Sequence, residues 1–397
     1  MDPSLENSLI EIRRHLHRNP ELSFQEFETS AFIKQTLTNW GIPYKEIANT
    51  GLFVDIVGDT EGETIALRAD IDALPINEEF VSDYQSQNKG VMHACGHDGH
   101  TAILLGAVKT LHNNRSLIKG TVRCIFQPGE EADGAALRLV NEGVLQNPNV
   151  ISIIGLHLWP HLPFGHIGIK KGNATAACDT FTIQIKGKGG HSARPHQALD
   201  AIVIGTELIQ HLNHINIKKI NPLDPHVIHI GSIHAGEAAN VVADELVMTG
   251  TSRCYSKELR QKIDAEIKNI CESLAKMWNV QIDYQMKFGA PHIFNDHFLA
   301  EQLENSARRF MSENEIELLN EPSMGGDDFG YYADQIPALY FRLGIAKVDS
   351  GNLDLHHPEF NFDDRVLVRG AEVFSRFAVD MLNVYQLSEN VMNESIL

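Results

Sequence analysis

A chain of 397 residues is too long for one small domain and fits about two. Its 33 Lys and Arg against 52 Asp and Glu leave a formal net charge of −19, a balance that repels nucleic acid and anionic membranes. Hydrophobic residues at 43% supply an ordinary globular core. No run of about 18 apolar residues could span a membrane, and the first twenty residues lack the apolar centre of a signal peptide. The cysteines at 95, 124, 178, 254 and 271 are odd in number and show no paired spacing, which argues against a secreted disulfide framework. A reducing cytoplasm is the expected location.

Apolar spacing at Leu5, Leu9, Ile12 and Leu16 predicts a first helix, ended by Asn19-Pro20. Ser23 and Glu26 form a capping-box pattern for a second, closing at Trp40-Gly41. β-rich runs follow at 51–58, 64–70, 121–127 and 150–158, with helical stretches near 99–112 and 134–145 between them. This alternation predicts an α/β layer on a largely parallel sheet, whose ligands collect beyond the carboxyl ends of its strands. After residue 179 the character changes. Strands at 180–189, 226–236, 245–255 and 280–288, with helices near 198–214 and 256–277, predict a smaller α+β domain. From about 290 a helix, the loop "SMGGDDFG", the strand "ALYFRLG" and a final helix near 363–385 resume the first pattern, while the tail at 388–397 shows no core face. The expected organisation is one domain, 1–179 with 290–397, interrupted by another at 180–289.

Side chains with chemistry cluster at strand ends and in loops, where functional groups concentrate. The stretch "MHACGHDGHT" at 92–101 crowds three histidines, Cys95 and Asp98 beside two glycines. "RADIDALP" carries Asp70 and Asp72 on one side of an extended segment. Glu130 and Glu131 adjoin in "FQPGEEADG", His157 ends a strand in "GLHLWP", and His356 lies in "DLHHPEF". Singly, each has a bland reading: a solvated acidic face, a hydrogen-bonded histidine, a buried cysteine. Together, thiolate, imidazole and carboxylate suit zinc, manganese, cobalt or nickel, and two cations explain how several acids can converge.

These stretches, with "GKGGHSARPH", "SMGGDDF" and "LHHPEF", resemble the M20 metallopeptidase family in its aminoacylase and amidohydrolase branch, over roughly residues 10–385. The resemblance implies a zinc-peptidase-like catalytic domain interrupted by a lid and dimerisation domain. It implies two divalent ions per subunit, held by Cys95, His97, Glu131, His157 and His356, with Cys95 at a bridging position that other branches fill with aspartate. Asp70 stands where those branches carry a ligand histidine, so it and Asp72 are expected to support ligands from behind. Glu130 is implied as general base. His191 is implied to stabilise the oxyanion, usually from the partner subunit, and Asn240 and Arg253 to hold the substrate's carboxylate or carbonyl. Without the resemblance, Arg253 reads as an exposed strand-end cation. Two departures from the family pattern are Asp327, where glutamate is common, and "NVVAD" in place of "NVIP". The implied reaction is hydrolysis of the amide of an N-acyl amino acid, of the hippurate or N-acetyl type, by a cytoplasmic homodimer that binds neither nucleic acid nor membrane. The alternatives are a dipeptidase or carboxypeptidase, or an N-acetyldiaminopimelate deacetylase, of the same family. A non-catalytic metal-binding protein on the same fold is the rival from another class.

Overall fold

Four apolar runs, each buried on both faces, pair in parallel at the centre of an eight-stranded sheet. The computed structural model describes residues 3–132, 134–346 and 353–394. In sheet order the four central strands are Lys119–Gln127, Thr60–Asp70, Val150–Pro163 and Ala338–Ala346. Gly51–Val57 adds antiparallel to Lys119–Gln127, and Lys45–Ile47 antiparallel to that. At the other edge Ile167–Ile169 runs antiparallel to Ala338–Ala346 and parallel to Ile316–Leu318. The sheet is therefore mixed, with a parallel centre.

The chain divides into two compact units: residues 1–174, 294–322 and 331–397, and residues 175–293 with 323–330. In the first, the helices Pro3–Arg18, His97–Asn113 and Val366–Glu394 pack on one another, and the last two also cover the strand Thr60–Asp70. Leu9, Ile103, Leu104, Phe341, Phe374 and Phe377 are core residues there. His97–Asn113 is apolar or buried around nearly its whole circumference, as a helix enclosed by neighbours must be.

The second unit is a four-stranded antiparallel sheet ordered His226–Ala235, Glu245–Cys254, Ala177–Lys186, Gln281–Phe288. Its two inner strands alternate buried residues with half-buried or exposed ones, so one face packs on the helices Ala201–His214 and Lys257–Trp278. Asp200 and Ser256 cap those helices by accepting the amides of Ile202 and Leu259. Among the described residues no helix is long and apolar enough to cross a membrane.

Three local expectations are corrected. The second helix, Phe27–Asn39, has no capping box. Ser23 Oγ instead donates to Asp72 Oδ2 at 2.6 Å, and Glu26 accepts the Phe24 and Gly129 amides at 2.8 Å each. A buried loop amide has no other partner, whereas water can satisfy a helix end, so the long-range bonds prevail. His157 does not end its strand. Val150–Pro163 runs on because Ala338–Ala346 pairs with it as far as Ala346 opposite Pro163. The last helix spans Val366–Glu394, longer than expected, and the side chains of 388–397 lie outside the described residues.

Candidate metal centre

The parallel strands deliver donors to one end of the sheet. Asp70 closes the strand Thr60–Asp70, with Asp72 just beyond it, and Glu130 and Glu131 follow Lys119–Gln127 in the short turn Glu130–Ala132. Cys95 and His97 arrive on the loop that starts the helix His97–Asn113. Two glycines make this entry possible. Gly96 adopts φ +88° at the helix N-cap, and at Gly99 an added Cβ would lie 2.7 Å from both Leu158 and Phe362 side-chain atoms. The helix start can thus press against the strand that carries His157.

Six sequence-identified residues converge here. Cys95, His97 and His157 present donor atoms within 4.8 Å of one another, as do Cys95, Glu131 and His356, and His97, Glu130 and Glu131. Cys95 Sγ lies 3.4 Å from His157 Nε2, and His356 Nε2 lies 3.4 Å from Glu131 Oε1. His97 Nε2 is 3.9 Å from Glu131 Oε1 and 4.0 Å from Glu130 Oε2. The neighbouring His357 faces elsewhere, its Nδ1 accepting the Glu359 amide at 3.1 Å.

The two buried histidines, His97 and His157, are held from behind. His97 Nδ1 lies 3.0 Å from the Asp72 carbonyl and 3.3 Å from Asp72 Oδ1, so it donates there and leaves Nε2 facing the cluster. Asp72 Oδ2 accepts from Ser23 Oγ at 2.6 Å and from the Glu131 amide at 3.0 Å. Burial opposes its ionisation, but these bonds hold Asp72 below the usual carboxylate range. His157 Nδ1 donates to the Leu158 carbonyl at 2.6 Å, which turns Nε2 toward Cys95. Burial, reinforced by His100, pushes His157 well below the ordinary imidazole value and so favours the neutral form that binds metals. Asp70 bonds His100 Nδ1 and Arg68 Nη1, both at 2.6 Å, with Oδ2 3.7 Å from His97 Nε2.

The donor set fits cations. Among the described residues His97 Nε2 and Glu131 Oε1 are buried without a hydrogen-bond partner, an expensive state for two polar atoms aimed into one space. Burial alone would lower His97, yet Asp70, Asp72 and Glu131 push it up to about 10. That shift reflects the three carboxylates gathered around one ring. Thiolate, imidazole and carboxylate donors suit divalent transition ions.

In the second unit, His191 and Asn240 share a two-stranded ribbon in which His191 pairs with Val241 and the Ser192 amide donates to the Asn240 carbonyl at 3.1 Å. Both side chains are exposed. Arg253 is half-buried, its Nη1 donating to the Met324 carbonyl at 2.7 Å and to Cys178 Sγ at 2.9 Å, so the reading of an exposed strand-end cation does not hold. Asp327 accepts the Phe329 amide at 2.8 Å. Sequence reasoning assigned Ser23 to a helix cap and gave His100 no role. The only signal for His100 was its place in the 92–101 stretch; Ser23 had none, because Asp72 lies 49 positions away.

A mixed α/β fold with clustered thiol, imidazole and carboxylate donors at the strand ends defines a metallohydrolase. The sequence pattern of Peptidase family M20/M25/M40 matches residues 66–380, and the chain belongs to that family. It is 39% identical over 370 residues to the N-acetyl-L-cysteine deacetylase of Bacillus subtilis, covering 93% of this chain and 86% of the relative. It is 40% identical over 293 residues to the N-acyl-L-amino acid amidohydrolase of Geobacillus stearothermophilus, covering 73% and 79%. The crystal structure of a dinuclear metal-binding peptidase of the M20 family from Bacillus subtilis matches with a TM-score of 0.84 at 35% identity, covering 96% of this chain and 99% of that one. The chain is a metal-dependent amidohydrolase, as its motifs led us to expect.

Proposed function

We propose that this enzyme hydrolyses N-acyl amino acids to a carboxylate and a free amino acid, with Cys95, His97, Glu131, His157 and His356 holding two divalent ions. The observation that carries this reading is the convergence of those donors around His97 Nε2 and Glu131 Oε1, buried atoms that lack a hydrogen-bond partner among the described residues. Zinc, manganese, cobalt and nickel all suit the mixed donors. The ions supply Lewis-acid polarisation of the amide carbonyl and a lowered pKa for the attacking water.

Glu130 is the remaining acid of the pair and acts as general base. Its carboxylate takes a proton from water as the C–O bond forms and returns it to the amide nitrogen as the C–N bond breaks. Asp72 keeps His97 in the Nδ1–H tautomer, and Asp70 lies beside the same ring with Oδ2 3.7 Å from Nε2. From the resemblance, Arg253 and Asn240 hold the substrate's carboxylate or carbonyl, and the partner subunit's His191 stabilises the oxyanion across a homodimer built on the 180–289 domain. Five cysteines, odd in number and without paired spacing in the sequence, support a reducing, cytoplasmic setting.

Glu130→Gln tests the assignment. It should retain metal while turnover falls roughly 10²–10⁴-fold, the usual contribution of a general base. Elemental analysis beside kinetics on hippurate, N-acetyl-amino acids, N-acetyldiaminopimelate and dipeptides also separates the family's substrate classes. Near-normal turnover would remove Glu130 from the mechanism, and lost metal would exchange the roles of the two glutamates.

A further inference from the structure

We infer that His100 is a positioning residue that aims His157 at the metal centre and is not itself a ligand, an inference that rests on the reading of His157 as a ligand. Placement alone would suggest otherwise. His100 lies three residues from His97 on one helix, their rings are 5.4 Å apart, and Asp70, His97 and His100 could together hold an ion.

Both ring nitrogens of His100 are committed. Nε2 accepts the Leu158 amide at 3.0 Å, so the proton sits on Nδ1, which donates to Asp70 Oδ1 at 2.6 Å. Asp70 is fixed in turn by Arg68 Nη1 at 2.6 Å and, through its carbonyl, by Thr101 Oγ1 at 3.0 Å. All of these side chains are buried, and Leu158 is fully so.

The reason for this device lies in the sheet. Thr60–Asp70 pairs with Val150–Pro163 only as far as Arg68 opposite Gly155. Three residues further on, Leu158 is buried where that ladder has ended, and an unpaired amide there would cost about 1–3 kcal/mol. His100 supplies the acceptor that the departing strand no longer offers. The same Leu158 accepts His157 Nδ1 through its carbonyl at 2.6 Å, so the residue whose amide His100 fixes also sets the direction of His157 Nε2 toward Cys95. The rings of His100 and His157 meet edge to face at 4.8 Å, which adds lateral support.

Two substitutions separate the two bonds. His100→Gln can still offer an acceptor to Leu158 but places no donor at Nδ1; His100→Asn keeps a donor for Asp70 but cannot reach the Leu158 amide. Cobalt(II) titration of metal-free full-length protein, followed by visible absorption, reads ligand geometry without reference to turnover, with circular dichroism to check folding. Binding should weaken by about 10–100-fold in His100→Asn, the range for residues behind metal ligands, and by less in His100→Gln. The cobalt bands should shift in His100→Asn. Wild-type affinity and spectrum in His100→Asn, with wild type binding two ions, would overturn this inference alone. An equal or larger loss in His100→Gln would deny the link through Leu158. Wild type binding fewer than two ions would overturn the ligand set on which the inference rests. Should neither variant fold, nitrogen-15 histidine spectra of the wild type decide: an Nδ1–H tautomer at His100 supports the arrangement, and an Nε2–H tautomer refutes it.

Discussion

Arg13→Met should destabilise the first unit by about 3 kcal/mol, the lower end of the cost of breaking a buried ion pair. The Arg13 side chain is fully buried and donates to Asp98 Oδ2 at 2.7 Å, Asp364 Oδ1 at 3.0 Å and Asn361 Oδ1 at 3.0 Å. Its guanidinium also lies 4.3 Å from the centre of the Phe362 ring. Against the cost of burial, Arg13 and His17 hold the Asp98 carboxyl far below the usual carboxylate range, so its charge persists when the arginine is removed. Methionine conserves most of the stem volume, which keeps the cavity contribution small. Asp98 retains His17 at 2.8 Å and Asp364 retains Arg14 at 2.8 Å, which places the loss at the low end of about 3–5 kcal/mol. At about 2–4 °C per kcal/mol the melting temperature should fall by roughly 6–12 °C. In a Trp278→Phe background the remaining tryptophans, Trp40 and Trp159, lie in the first unit, so their fluorescence follows that unit during thermal and urea unfolding. Replacing both partners, Arg13→Met with Asp98→Leu, should cost less than the sum of the single changes, because no charge is then left buried alone. A single-mutant loss below about 1 kcal/mol, or strict additivity, would refute the reasoning.

His17 should make stability depend on pH. Burial and Arg13 lower its pKa, but Asp98 and Glu78 outweigh them and raise it above the ordinary value. A raised folded value means the contribution is complete below about pH 6.5 and is lost as pH rises through the folded pKa. Urea midpoints of wild type and His17→Gln should therefore converge as pH rises above about 6.5; a constant gap would assign His17 a packing role only. Arg253→Lys should impair hydrolysis of N-acyl amino acids far more than of the corresponding amides that lack the carboxylate, since an ammonium cannot make the two-pronged contact. Equal losses on both substrates would leave Arg253 with only its bonds to Met324 and Cys178.

The sequence by itself brought the donor groups forward, and the resemblance to a family supplied the roles proposed for them. Cys95, His97, Glu130, Glu131, His157 and His356 are legible because few structures other than a metal site reward such donor types in short stretches between strands and helices. The parallel centre of the sheet was legible for a similar reason: runs buried on both faces, separated by helices, have few other arrangements open to them. Only the tertiary structure decided which groups stand behind the donors. Ser23 looks like a helix cap until Asp72 is brought to 2.6 Å from it, and His100 has no assignable role until the Leu158 amide is found donating to its Nε2. Neither local pattern records which buried group will lack a partner, because that depends on where a neighbouring strand stops. The strand through His157 ran longer than its pattern suggested for the same physical reason. An element continues while a neighbour satisfies its backbone and covers its side chains, and that neighbour lies far away in the chain.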